Sequence, residues 1–333
     1  MTKQFDMSTT DTDLFILLPL IYMIPTYFLY LVELLTLFVN RKGNNFTGSF
    51  FRIWVSSAGN NLLCSILYFL TFRGTKAPAL SGFYSILPES GFFTTLLLFI
   101  VYISGSVQVL LDLVLCFNRF TVVFLETDHT IFWNKYGRII LFFTFCIPVT
   151  TSWEAWFFQI KLLPVNASDW TEGYNWSPTN AQAIPWMNIP LIVCGTVIAT
   201  ASLSFFMNCY VCWYLLKENK KNKIGGRRVS NHDLRLFIYN MLIFLTQMVH
   251  FCLQMIFLIS PKEHVTYSFA VKIQYFVMDV NALAPAWFIF FMSSVLRTSI
   301  MRLFSNNKTL VVKIHTSSFN GKLTKKAGIT ISS

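Results

Sequence analysis

Few side chains in the apolar stretches of this chain of 333 residues could carry acid–base or metal chemistry. The ionisable residues that fall within hydrophobic runs are Glu33, Asp112, Glu154, His250 and Asp279. A single histidine cannot build the sets of His and Cys ligands that hold zinc in proteins. The sequence also contains neither a Gly-x-Ser-x-Gly nucleophile turn nor a Gly-Lys-Ser phosphate loop. We therefore predict a protein that is not an enzyme and that uses no metal or cofactor.

The composition limits where such a chain can reside. Hydrophobic residues make up 54% of it and charged residues 12%, which is about half of the roughly 25% that soluble domains carry. Too few polar groups are left to cover a surface that faces water, so a polytopic membrane protein is predicted. Because a charge inside a bilayer costs about 3 kcal/mol or more, Asp112 should face the interior of a helix bundle.

Seven apolar segments are long enough to span a membrane as helices, which takes about 20 residues each. They cover residues 14–39, 50–72, 92–117, 139–160, 189–216, 236–259 and 269–296. A short amphipathic helix is predicted at 297–304, where apolar residues recur at helical spacing beside arginines. The predicted fold is an all-α bundle of seven transmembrane helices with rhodopsin-like architecture, in a receptor domain at 1–304. Residues 305–333 are polar and are predicted to be a disordered tail.

The distribution of basic residues predicts the orientation of the bundle. Of the 26 lysines and arginines, 20 fall in segments that would share one side of the membrane, and seven of these lie between 217 and 235. Since basic loops stay on the cytoplasmic side, we expect the amino terminus outside and the carboxyl terminus inside. The net charge of +11 would then face anionic membrane lipid, which argues against a role in binding nucleic acid.

The longest predicted outer loop spans residues 161–186 and has two notable features. It contains two triplets for N-glycosylation, which begin at Asn166 and Asn175. It is also rich in aromatic side chains, namely Trp170, Tyr174, Trp176 and Trp186. Such residues form either a belt at the membrane interface or a lid over a pocket.

The organisation of the chain favours signalling over transport. Transporters are commonly built from internal repeats, and no repeat is visible between the first and last three predicted helices. Arg119 at the inner end of the third helix, the basic loop at 217–235 and the segment after the seventh helix together match a G-protein-coupled receptor. The alternative is a ligand-gated channel subunit or a small-solute facilitator that does not couple to a G protein.

The run CFNRFTVVF at 116–124, followed by Trp133 at the foot of the fourth helix, resembles the nematode serpentine chemoreceptors. Among these it is most similar to the serpentine receptor class gamma (srg) family. The resemblance extends over all seven helices and includes Asp279 and Pro285 in the last one. It implies a chemosensory receptor in the plasma membrane of sensory neurons or their cilia. It also implies coupling to a heterotrimeric G protein.

The chain departs from the large rhodopsin-like family at several positions. Asn118 stands where an acid commonly precedes the arginine, so an ionic lock from that neighbour is absent. Asn281 and Pro285 are separated rather than adjacent, and Met278 is not a lysine, which argues against retinal. All seven cysteines fall inside apolar segments, so the usual disulfide at the top of the third helix cannot form.

A small ligand, uncharged or weakly polar, is predicted to bind in the outer half of the bundle. Small-molecule pockets are mostly apolar with a few placed polar groups. The side chains predicted to contact the ligand are Tyr102, Ser106, His250, Gln254, Gln274 and Asp279. Each could instead serve hydrogen bonding between helices, worth about 0.6 kcal/mol.

A second set of residues is predicted to form the switch that couples to the G protein. It consists of Asp112, Asn118, Arg119, Asn281 and Pro285. Asp112 lies two turns before Arg119, roughly 10.5 Å away along the helix, which is too far for an ion pair. Asp112 could instead join a polar network with Asn60 or Asn61 and with Asn281, or it could simply be packed.

Overall fold

The computed structural model describes residues 9–41, 46, 48–157, 160–166, 169–178, 189–225, 231–260 and 264–305. Seven long helices run through this part of the chain. They are α1 (Thr9–Val39), α2 (Ser49–Tyr68), α4 (Phe92–Leu125), α5 (His129–Ser152), α6 (Ile189–Gly225), α7 (Asn231–Ile259) and α8 (Val265–Met292). Two shorter helices are α3 (Ser81–Ile86) and α9 (Ser294–Phe304). All but the first residue of the predicted disordered tail lies outside the described residues.

The helices are suited to a membrane by length and composition. Among the described residues, six apolar segments are long enough to span a membrane, and one of them, Phe92–Phe157, contains both α4 and α5. These two helices are separated by a 3-10 turn at Glu126–Asp128, in which Glu126 has a φ of 45°. The predicted bundle of membrane-spanning helices is therefore confirmed.

The outer surface and the interior of the bundle differ in the way that contact with lipid requires. Large apolar side chains such as Ile21, Phe28 and Phe38 on α1 are exposed, which is favourable only where hydrocarbon covers them. The interior holds a cluster of buried residues from α1, α2, α4, α7 and α8. Tyr30 and Trp54 are among its largest members. The core thus runs along the interior of the bundle.

Helix α2 does not end in regular α-helical geometry. The helix continues after Tyr68 as a π-helical turn, Phe69–Arg73, and a 3-10 turn at Gly74–Lys76 follows. Two side chains from outside the helix donate hydrogen bonds to backbone carbonyl groups of the π-turn. Trp176 Nε1 donates to the Thr71 carbonyl at 2.6 Å, and the Tyr84 hydroxyl donates to the Leu70 carbonyl. Burial raises the pKa of Tyr84 to about 12, so its hydroxyl keeps its proton at neutral pH. Arg73, the last residue of the π-turn, is buried in the protein interior.

The segment predicted as the long outer loop contains a β-hairpin. Strand β1 (Ile160–Asn166) pairs with β2 (Asp169–Pro178) in antiparallel register. Leu162 and Tyr174 pack against Tyr84 of α3, so tertiary contacts rather than a local alternating pattern hold the strands. Trp186 lies outside the described residues. The described part of the loop therefore forms a β-hairpin that packs over the end of α2.

The last membrane helix ends earlier than the sequence predicts. Helix α8 stops at Met292 instead of 296, and Ser293 becomes the N-cap of α9. The Ser293 hydroxyl accepts a hydrogen bond from the Leu296 amide at 3.2 Å, which is the common way in which serine starts a helix. Leu296 and Ile300 are buried, whereas Thr298 and Arg302 are exposed. Helix α9 is therefore amphipathic and begins within the segment assigned to the seventh span.

Candidate functional site

A cavity of about 310 Å³ lies between α4, α6, α7, α8 and the end of α2. Its volume is at the lower end of the range that binds small molecules in proteins. Aromatic rings form much of its wall, including Tyr68, Phe72, Tyr102, Phe257, Tyr267 and Tyr275. Tyr102 also packs in the cluster that Trp176 of the hairpin joins, so the cavity lies beneath the hairpin end of the bundle.

Five of the six side chains predicted to contact a ligand line this cavity. Helix α4 supplies two of them, α7 two and α8 one; they are Tyr102, Ser106, His250, Gln254 and Gln274. Asp279 is not among the lining residues. The spacing of four residues that separates Tyr102 from Ser106, and His250 from Gln254, places each pair on one helix face. Contact of these side chains with a ligand stays a prediction.

His250 and Gln254 form a pair on α7. Gln254 Nε2 lies 3.0 Å from His250 Nε2, and both side chains are buried. The amide nitrogen donates and the ring nitrogen accepts, which assigns a neutral imidazole with its proton on Nδ1. The pair therefore offers hydrogen-bonding groups to the cavity without adding a charge.

Asp279 is engaged in a buried ion pair. Its carboxylate lies 2.6 Å from Arg73 Nη1, with side chains 7% and 2% exposed, respectively. The hydroxyl of Tyr22 also donates to Asp279. Together the three residues connect α1, the end of α2 and α8. Arg73 directly follows the last residue of the predicted second span, at 50–72, so its place in the sequence gave no sign of a buried partner.

Gln108 also lines the cavity, although it is not among the side chains predicted to contact a ligand. It is 4% exposed, and its Oε1 accepts from the thiol of Cys64 at 3.7 Å. Among the residues that the structure describes, no group accepts a hydrogen bond from its Nε2. The signal in the sequence is a glutamine within an apolar run, one turn before Asp112.

At the opposite end of α4, Arg119 lies over an aromatic ring. Its guanidinium carbon is 4.3 Å from the centre of the Phe50 ring. Phe50 in turn meets Tyr239 of α7 edge-to-face, with 5.6 Å between ring centres. The predicted switch arginine is therefore connected through α2 to α7, the helix that also carries His250 and Gln254.

The neighbouring Asn118 joins three helices at the same end. It is fully buried, and its Nδ2 donates to the Ser49 hydroxyl at 2.8 Å. The same nitrogen lies 3.4 Å from His129 Nε2. Nearby, Trp133 Nε1 donates to the Thr121 hydroxyl at 2.9 Å. The residues of the CFNRFTVVF run thus fix the start of α2 and α5 against the end of α4.

The other predicted switch residues lie in the core. Asp112 and Asn281 are buried, and Pro285 lies within α8. Asn60 donates to the Ser104 carbonyl at 2.9 Å and Asn61 to the Tyr30 hydroxyl at 3.3 Å. In the described part of the chain, no hydrogen bond joins either asparagine to Asp112 or to Asn281.

The two predicted glycosylation sites differ in their surroundings. Asn166 ends β1 and is half-buried, whereas Asn175 lies within β2 and is exposed. The Asn175 Oδ1 accepts a hydrogen bond from Lys76, which ties that side chain to the end of α2. Glycosylation at either position stays a prediction.

Residues 16–300 match the model of the Srg family chemoreceptors. The matched range contains α2 to α8 completely and most of α1 and α9. It therefore includes both the cavity and the Arg119 end of the bundle. No curated protein matches the chain in sequence.

Proposed function

This chain belongs to the Srg family of chemoreceptors, and from that premise we propose that it detects a small, uncharged molecule in its cavity. The same proposal makes it a receptor that activates a heterotrimeric G protein at the other end of the bundle. The single observation that supports it most is the cavity, which collects polar side chains from α4, α7 and α8 within an aromatic wall.

The chemistry of the wall supports an uncharged ligand. No Asp, Glu, Lys or Arg is among the residues that line the cavity. Arg73 and Asp279, which follow the lining residues Phe72 and Met278 in sequence, pair with each other. A charged ligand would lose its hydration without gaining a counter-ion, which is costly in a medium of low dielectric constant.

Helix α7 is the element proposed to carry the signal. His250 and Gln254 line the cavity, and Tyr239, about 16 Å further along the helix, contacts the ring that lies beneath Arg119. A ligand that binds one position of α7 more tightly shifts the equilibrium toward that position. Movement of α7 away from Phe50 would free Arg119 to bind the G protein.

The location follows from the same proposal. The receptor would lie in the plasma membrane, on a sensory cilium where one is present, with its amino terminus outside. Its basic inner face would rest against anionic lipid. The G protein would bind at the end of the bundle where Arg119, Asn118 and Ser49 lie.

The test is a ligand screen in cells that express the chain with a promiscuous Gα subunit and a calcium reporter. The Arg119→Ala variant is screened in parallel, with surface expression measured for both. We expect responses from the unmodified chain that disappear in Arg119→Ala at equal surface expression. Responses that persist in the variant, and without the Gα subunit, would contradict the proposal and indicate a channel.

A further inference from the structure

We infer that Gln108 recognises the ligand: its side-chain amide donates a hydrogen bond to an uncharged acceptor oxygen, such as that of an ester, a ketone or an ether. The inference rests on the proposed function, since it concerns the ligand of the same cavity. It adds the chemical class of the ligand and a recognition residue outside the sequence-predicted set.

The Gln108 amide contacts its neighbour on α2 through its oxygen. The Cys64 thiol donates to Oε1 at 3.7 Å, which leaves Nε2 as the end of the amide that has no partner on α2. The side chain is 4% exposed and lines the cavity. Within the part of the chain that the structure describes, Nε2 has no acceptor and is itself enclosed, so the Gln108 side chain has to rotate toward the cavity to meet a ligand. A buried amide nitrogen without a partner calls for an explanation, and Gln108 differs from other such amides of the described residues, among them Asn208, in that its side chain lines the cavity.

The position of Gln108 places this donor at the inner end of the cavity. Helix α4 lines the cavity from Val101 onward, and Gln108 and Val109 are the last residues that it contributes. The aromatic residues Phe257 and Tyr267 belong to the outer ends of α7 and α8. The ligand would therefore enter with its oxygen toward Gln108 and leave its apolar body among the rings.

The unpartnered donor discriminates between ligand classes. An acceptor oxygen removes the free-energy cost of burying an N–H group without a hydrogen-bond partner. A hydrocarbon of the same shape leaves that cost in place. A carboxylate would bring a charge into a wall that carries no cation. Sites built to hydrogen-bond a ligand reject analogues that lack the matching group much more strongly than apolar pockets do.

Thermal unfolding of the purified full chain with defined probes tests the inference. The probes are methyl esters and methyl ketones of increasing chain length, with alkanes and carboxylates matched in size. We expect at least one ester or ketone to raise Tm, and the matched alkane and carboxylate to leave it unchanged. In Gln108→Leu the Kd for that probe should rise about tenfold, which corresponds to one hydrogen bond.

Asn208→Leu is the matched control. Asn208 is also a buried amide whose nitrogen has no partner among the described residues, but it lies on α6 and is not part of the cavity wall. This variant should bind the probe as the unmodified chain does. Without a probe, Gln108→Leu should unfold at the same Tm as the unmodified chain or higher, because the uncompensated donor is gone.

Three results would overturn the inference: equal stabilisation by alkanes, undiminished binding in Gln108→Leu, or no stabilisation by any ester or ketone. A lower Tm of Gln108→Leu without a probe would show that the amide is structural instead. None of these results decides the proposed function, which is tested by signalling in Arg119→Ala. A cellular response that survives Gln108→Leu but not Arg119→Ala would reject this recognition role and keep the receptor.

Discussion

Arg73 and Asp279 form an ion pair inside the bundle. The two groups are hydrogen-bonded, and Tyr22 supplies a further donor. A buried pair of this kind is weak evidence for net stability, because desolvation offsets the attraction. Breaking it is nevertheless costly, since the remaining partner is left charged in an apolar interior.

Arg73→Met should therefore destabilise the folded protein by about 3 kcal/mol or more. The double variant Arg73→Met with Asp279→Leu should recover part of that loss, because no buried charge is left. Thermal unfolding of the purified chain measures both. Arg52→Met is the control: Arg52 is exposed and bonds to Asn134 at 3.1 Å, so its loss should cost little. Equal effects of the two single variants would contradict the role of the pair.

Phe50 is expected to hold the receptor in its ligand-free state. Phe50→Leu removes the ring beneath Arg119, and a cation–π contact in a desolvated site is worth about 1–2 kcal/mol. Calcium signalling without ligand should rise about fivefold or more, whereas Phe50→Tyr, which keeps a ring, should stay near the basal level.

The control is Phe51→Leu, which removes a neighbouring ring that packs on Phe50 and Phe46. It tests whether any loss of aromatic packing activates the receptor. Equal activation by Phe50→Leu and Phe51→Leu would show that the contact with Arg119 is not the cause. Surface expression is measured for all variants.

Residue-level features were predictable to the extent that they depend on spacing within one helix. The i, i+4 pairs Tyr102 with Ser106 and His250 with Gln254 follow from helical periodicity alone. The contacts of Arg73 and Gln108 depend on which helices are neighbours and on the π-turn at the end of α2. No local pattern encodes those contacts.

At the scale of elements, the β-hairpin and the end of α2 form one unit. Gly173 of β2 has a φ of 95°, and a Cβ on it would lie 2.6 Å from the Thr75 carbonyl oxygen. Trp176 and Tyr84 donate to carbonyls of the π-turn. The unit therefore requires glycine at 173, both for its backbone conformation and for its close approach to α2.

Gly173→Ala should separate the hairpin from α2. The positive φ and the contact with Thr75 are both unfavourable for a Cβ, and strain of this kind costs roughly 1–3 kcal/mol. Hydrogen exchange of the amides in β1 and β2 measures the change, and faster exchange is expected. Gly82→Ala on α3 is the control, because nothing lies within 4 Å of its Cβ position. Unchanged exchange in Gly173→Ala would show that the hairpin does not depend on this approach.

The hairpin could not be predicted from the sequence, whereas the long helices could. Apolar runs of membrane length identify the seven long helices, α1, α2 and α4 to α8, with little ambiguity. The strands contain Pro164 and Gly173, which are poor strand formers, and they are held by Tyr84 and the end of α2. The aromatic residues suggested a belt or a lid, and neither expectation specified strands.

At the scale of the whole molecule, the architecture follows from composition. A chain with 12% charged residues must place its apolar surface against lipid, and helices satisfy their backbone hydrogen bonds there. The positions of the spans follow from hydropathy. The orientation of the bundle relative to the membrane is inferred from the distribution of basic residues and stays a prediction.

Epitope tags at the two termini test the orientation in intact cells. The basic residues between 217 and 235 should keep that loop in the cytoplasm. We expect an amino-terminal tag to be stained without permeabilisation and a carboxyl-terminal tag to be stained only after it. The opposite pattern would favour the channel alternative and contradict G-protein coupling through the Arg119 end.

The buried ion pair also has a consequence for the order in which the receptor is made. Arg73 belongs to the second membrane helix to leave the ribosome, and Asp279 belongs to the last. During synthesis, Arg73 enters the membrane before Asp279 has been made. A chain that ends between these two residues therefore carries a buried cation without its counter-charge. Chains that end before α8 should therefore be retained and degraded in the endoplasmic reticulum. The pair makes assembly depend on the final helix.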